Sequence, residues 1–291
     1  RVWAALRRRQ YRSRYPCAHG VVSRGRQAHL TRTNLLDRRI QMDFTEPLLL
    51  TMIMATFFVA GLVKGVVGLG LPIVVLALLA TTVGLKTAMA LFIVPGVIMN
   101  IWQALAGPAF FALLKRLWPL WLVSTIAIYV GTTVLARVDQ DSAALAFGAL
   151  LAAYAFTRLA RFKVSIPEQS ERWLSPLIGA VAGFIFGATG QYMVPGVLYI
   201  EALGLKRDEF VQALGMTFLT ITSTLGVGLF ANELMTPDVA AISAAAIVPA
   251  CLGLYLGQSV RARVSEDLFR TLLFIWLGLT GVFIVARSLA S

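Results

Sequence analysis

Residues 60–70 read Ala-Gly-Leu-Val-Lys-Gly-Val-Val-Gly-Leu-Gly, and residues 182–192 read Ala-Gly-Phe-Ile-Phe-Gly-Ala-Thr-Gly-Gln-Tyr. Both stretches lie inside apolar segments. They share the skeleton Ala-Gly-x-x-x-Gly-x-x-Gly, so that Gly61, Gly65 and Gly68 match Gly183, Gly187 and Gly190 at an offset of 122. A glycine weakens a helix by about 1 kcal/mol relative to alanine. Three in one apolar segment predict a helix break or a very close helix contact. Glycine-interrupted hydrophobic segments at matching places in two halves point to a transporter's binding site.

Working outward, the surrounding residues repeat as well. Gly84-Leu85-Lys86 matches Gly204-Leu205-Lys206 at an offset of 120, and Arg137-Val138-Asp139-Gln140-Asp141 matches Arg263-Val264-Ser265-Glu266-Asp267 at 126. Ten apolar segments are expected, at 47–66, 68–83, 87–106, 117–135, 142–160, 174–190, 192–203, 209–230, 239–259 and 268–287. The second and seventh are short. A dozen helical residues rise only about 18 Å, less than the roughly 30 Å hydrocarbon core, so these two read as half-helices. Five segments per half is an odd number, and the second half should enter the membrane from the opposite side. The fold class read here is an all-α polytopic membrane protein. Its about ten apolar segments form two inverted five-segment repeats, with broken or short helices at the Gly-rich motifs.

Composition agrees. Of 291 residues, 58% are hydrophobic and 14% charged, against roughly 25% charged in soluble domains. The net charge of +12 is concentrated in residues 1–41, which hold 11 Arg against Asp37. This basic tail is read as disordered or as lying ahead of a natural start at Met42. The rest divides into a first transmembrane repeat at 42–160, a cytoplasmic linker at 161–173 and a second transmembrane repeat at 174–291. With the linker inside, ten Lys and Arg between Lys115 and Arg263 share its side, against Lys86, Arg137 and Arg287 on the other, which obeys the positive-inside rule.

Both histidines, His19 and His29, lie in the tail. The body therefore offers no Ser–His dyad and no His-based metal motif, and its Asp residues fall in loops. An intramembrane enzyme is not expected on that ground; no metal or other cofactor and no nucleic-acid partner is expected. Cys17 and Cys251 are too few for a disulfide framework, and Cys251 is expected to be a small packing residue.

The candidate substrate-binding residues cluster at the breaks. Gly65, Gly68 and Gly70 in the first copy, with Gly187, Gly190, Gln191 and Tyr192 in the second, would expose backbone N–H groups. Pro72 and Pro195 would start the half-helices that follow. Two such N-termini suit an anion. The opposing reading is close helix packing through small-x-x-x-small spacing. Lys64 lies within an apolar segment, where an ammonium should face a cavity or an anion unless it snorkels to an interface. Asn100 and Gln103, with Thr220 as the counterpart of Asn100, add neutral polar groups. The threonines of the eighth segment read more simply as helix-packing hydroxyls. Glu201, at the end of the seventh, reads as an interface residue.

The run Ala60–Pro72, the stretch Gly183–Pro195 and the turns at Gly84–Ala88 and Gly204–Lys206 resemble the TauE/SafE sulfite-exporter family of membrane proteins. The resemblance spans about residues 46–288. It implies a secondary-active carrier of a small anion, sulfite or an organosulfonate, in the cell (inner) membrane. Alternating access around a midplane site would be driven by a coupling ion, H+ or Na+, and a homodimer is one possible assembly. Leu71 stands where family members often carry a third glycine, which bears on the substrate. An anion channel or a membrane subunit of a larger complex is the alternative.

Overall fold

The computed structural model describes residues 46–68, 70–160, 165–261 and 266–290. The basic tail and the first part of the 161–173 linker lie outside the described residues. Glu46–Ser291 forms one compact unit, and it is helical throughout among the described residues. In chain order the helices are α1 (Pro47–Val67), α2 (Leu71–Leu79), α3 (Leu85–Leu105), α4 (Phe110–Arg137), α5 (Gln140–Leu159) and α6 (Glu168–Thr189). A π-type turn at Met193–Val197 leads into α7 (Leu198–Ala202). Then come α8 (Arg207–Ala231), α9 (Pro237–Ala245), α10 (Ile247–Arg261) and α11 (Glu266–Ala290). Eight spans among the described residues are long and apolar enough to cross a membrane, α9 and α10 together making one of them.

Each glycine motif ends a helix in the same way. Gly68 closes α1 at φ 85° and Gly190 closes α6 at φ 74°, and their N–H groups donate to Lys64 O at 2.8 Å and Phe186 O at 2.7 Å. This left-handed position is the usual helix stop, and glycine takes it without the Cβ clash. Pro72 stands in the first turn of α2, as expected. Pro195 departs from expectation. It follows a cis peptide bond within the π-type turn, and Val194 there is non-helical.

The other two glycines of each motif are contact surfaces. α1 packs on α10, and α6 on α4. A side chain on Gly61 would strike the Ala250 carbonyl, and one on Gly65 the Leu254 carbonyl and Gly257. A side chain on Gly183 would strike Ser124, and one on Gly187 the Ile128 carbonyl and Gly131. Ala250, Leu254 and Gly257 stand 126 residues after Ser124, Ile128 and Gly131, so the two interfaces match atom group for atom group. α3 also packs on α8, and α5 on α11.

Two boundaries and one side-chain placement differ from the sequence reading. α4 begins at Phe110 rather than near 117, because Lys115 and Arg116 project from a helix already formed. Arg116 makes a two-pronged pair with Glu171 at 2.8 and 2.5 Å. The ninth segment divides at Ala246. Pro249 lacks the N–H that would bond Ala245 O, and its ring crowds that carbonyl. Cys251, expected inside the packing, is exposed on α10.

Candidate functional site

The C-terminal ends of α1 and α3, the N-terminal end of α8 and the middle of α10 enclose a cavity of about 530 Å³. Lys64, Gly65 and Gly68 line it from α1, Met99, Trp102 and Gln103 from α3, Arg207, Asp208 and Phe210 from α8, and Gln258 from α10. Its mouth is polar, since Arg207, Asp208 and Gln258 are exposed. Its deep end holds Lys64, only 7% exposed.

The Lys64 ammonium donates to Asn100 Oδ1 at 2.7 Å. Asn100 is 3% exposed, and among the described residues no carboxylate pairs with Lys64. A buried ammonium beside a neutral acceptor keeps its positive field unspent, and an anion is the ligand that field favours. The 25-residue helix α8 points its N-terminal end at the same cavity, which adds positive dipole.

The floor of the cavity is tied by Gln212, 1% exposed. Its Oε1 accepts the Ala109 N–H at 2.8 Å, and its Nε2 donates to Ala104 O and Gly107 O, each at 2.9 Å. One α8 side chain thereby satisfies the turn between α3 and α4. Gln103 Nε2 donates to Val211 O at 3.0 Å.

The second glycine break is built differently. Gly190 lies against Leu76 and Met89. The Gln191 N–H donates to Thr189 Oγ1 at 3.3 Å, while its side-chain Nε2 is buried without a partner. Tyr192 is 1% exposed. Its hydroxyl meets Ser124 Oγ at 3.1 Å, and its ring stands edge-on to Phe186 and Phe218. Phe92 extends this chain of rings from α3.

Of the residues singled out in the sequence, Lys64, Gly65, Gly68 and Gln103 meet at one cavity, and Asn100 joins them through Lys64. Gly70 opens α2, beside Val63 and Ile73. Gly187 lies at the α4–α6 contact, and Gly190, Gln191 and Tyr192 form the sealed break. Thr220 Oγ1 bonds Met216 O at 2.9 Å, and Thr217 and Thr224 likewise bond carbonyls one turn back. The N–H groups of Gly68 and Gly190 are occupied by their helix caps, which leaves side chains as the polar lining. Glu201 is exposed and pairs with Arg158. Arg207 and Gln258 were missed by sequence reading. They come from helix ends that meet only in the folded molecule, although the basic Lys206-Arg207 pair at the start of α8 was a visible signal. Among the described residues no group of three or more His, Cys, Asp or Glu is placed to hold a metal.

A family model described as Sulfite exporter TauE/SafE matches residues 53–284. No curated protein and no solved structure matches the chain. The match covers most of the chain, which therefore belongs to the TauE/SafE sulfite exporter family and is a multi-pass membrane protein of a transporter family.

Proposed function

We propose that this TauE/SafE family member is a secondary-active carrier of sulfite or an organosulfonate, and that the Lys64 cavity is where the anion binds. The observation that carries the reading is the buried Lys64 ammonium, bonded to a neutral amide at the end of a cavity with a polar mouth. An anion would enter past Arg207 and shed water as it reaches the α8 N-terminus. It would then accept from a second Lys64 N–H, while Asn100 Oδ1 keeps the ammonium aimed into the cavity. Gln103 and the backbone at Gly65 and Gly68 form the adjoining wall, and the Gln191–Tyr192 break is the wall that must open for release.

The matched interfaces of α1 on α10 and α6 on α4 support two inverted repeats, 42–160 and 174–291, each lending its fourth segment to the other's first. Such a pair can rock about a shared centre, which is the geometry alternating access needs. In this conformation the Gly68 break faces the cavity and the Gly190 break is packed shut. The positive-inside rule supports a cytoplasmic 161–173 linker, and the cavity mouth would open on that same side of the cell membrane. A proton or sodium gradient would supply the drive.

Uptake of labelled sulfite and sulfonates into proteoliposomes tests the reading. Lys64→Met should insert normally and weaken apparent affinity about 10- to 100-fold, the worth of a hydrogen bond to a charged group. Unchanged affinity in Lys64→Met would move the site elsewhere. No flux of any sulfur oxyanion by the wild-type protein, under either ion gradient, would end the substrate assignment.

A further inference from the structure

Pro95 lies in the middle of α3. It has no N–H, so the Leu91 carbonyl one turn earlier loses its helix donor. Another helix supplies it. The Ser243 hydroxyl of α9 donates to Leu91 O at 2.6 Å and accepts the Val94 N–H at 3.2 Å. Ser243 is fully buried, and no water is at hand in lipid to take over either bond.

The other side of the joint is equally specific. Gly96 lets α8 come close, since a side chain there would begin 3.2 Å from Thr222 Cγ2. The Thr222 hydroxyl is buried without a partner, a spare group beside the Pro95 turn, where a proline kinks its helix. Beyond the joint, α3 carries Asn100 and Gln103, which contact Lys64 and α8. The matching position in α8, 120 residues on, is Gly215, and α8 runs unbroken from Arg207 to Ala231. Of the α3–α8 pair, α3 carries a proline at this level and α8 a glycine.

We infer that Ser243 is a positioning residue for anion binding: it fixes the bend of α3 at Pro95, and that bend sets Asn100 against Lys64. The inference rests on the Lys64 cavity being the anion site. Because α9 is set off from α10 at Ala246, α9 and the upper part of α3 form one stitched unit, and the lower part of α3 is the arm that carries the site residues. A change of bend withdraws the Asn100 amide from the ammonium without moving the α1–α10 contact.

The test measures sulfite KM and maximal flux in proteoliposomes, normalised to folded protein, for Ser243→Ala, Ser243→Thr, Asn100→Ala, the Ser243→Ala/Asn100→Ala pair and Lys64→Met. Positioning predicts a KM raised about fivefold or more in Ser243→Ala, recovery in Ser243→Thr, and no further rise when Ser243→Ala is added to Asn100→Ala. A packing role alone would lower the yield of folded protein and leave KM unchanged, and that result overturns the inference. So does a KM effect that multiplies with that of Asn100→Ala. Pro95→Ala, which returns an N–H to the Leu91 carbonyl, serves if Ser243→Ala does not fold. It should straighten the arm and raise KM, and a wild-type KM there also refutes the proposal. If Lys64→Met raises KM and Ser243→Ala does not, only the role of Ser243 fails. If Lys64→Met has no effect, the site reading falls and this inference with it.

Discussion

The two glycine breaks share a skeleton and a helix stop, yet one opens on a cavity and the other is packed shut. At Gly68 no heavy atom lies within 4 Å of where a side chain would begin, whereas at Gly190 Leu76 and Met89 fill that space. The residue whose carbonyl caps the helix is Lys64 in one copy and Phe186 in the other. The shared glycines set how the helices meet, and the residues between them set what each break can do. A cation with an amide partner makes a place for charge, and a run of four aromatic rings makes a seal. A carrier that exposes one side at a time needs one of each at any moment.

The largest effect should come from the part that is the same in both halves. Gly65→Leu and Gly187→Leu each push a branched side chain into a backbone carbonyl that cannot yield. Each should cost about 3 kcal/mol, the top of the usual overpacking range. Thermal unfolding in detergent should show the two variants equally damaged. Marked tolerance of one of them would break the equivalence of the α1–α10 and α4–α6 contacts.

A smaller, unequal effect is expected at the stops. Gly68→Ala meets only the left-handed backbone cost of about 1 kcal/mol. Gly190→Ala meets that cost and Leu76 besides. The Leu76 methyl can turn aside in part, so about 2 kcal/mol in all is expected. Equal melting temperatures for the two would mean that the second break is as open as the first.

The smallest effect sharpens the seal. Tyr192→Phe keeps the ring stack and loses only the hydroxyl contact with Ser124, worth about 1 kcal/mol. Water-soluble thiol reagents should then reach a cysteine placed at Gln191 faster than in the parent protein, in a background without Cys17 and Cys251, while a cysteine at Gln103 labels readily in both. No change in the Gln191 rate would show that the rings alone hold the break closed.

Much of this was legible in the chain. The glycine skeleton, the Gly-Leu-Lys turns and a lone lysine in an apolar run marked the breaks and Lys64 directly, because each is a local departure from an otherwise apolar helix. The rest was not local. Asn100 could be named as polar, but its bond to Lys64 joins α3 to α1. Gln212 reads as one amide among several until it is seen holding three backbone groups of a distant turn. Whether Gly65 lines a cavity or packs a helix could not be read from spacing, since both uses want a small residue at that interval; in the folded molecule it does both. The division at Ala246 had its signal in Pro249, three residues further on and inside what looked like an unbroken apolar run.

The exchange of helices between the two halves also sets a timetable. Gly183 of α6 finds its Ser124 contact 59 residues back in the chain, already in place when α6 emerges. Gly61 of α1 must wait for Ala250, 189 residues later. At a synthesis rate of about 5–20 residues per second, the small-residue stripe of α1 lies without its partner for roughly 10–40 s. Over that interval a newly made chain is an unfinished clasp, and the last spans are the ones that close it.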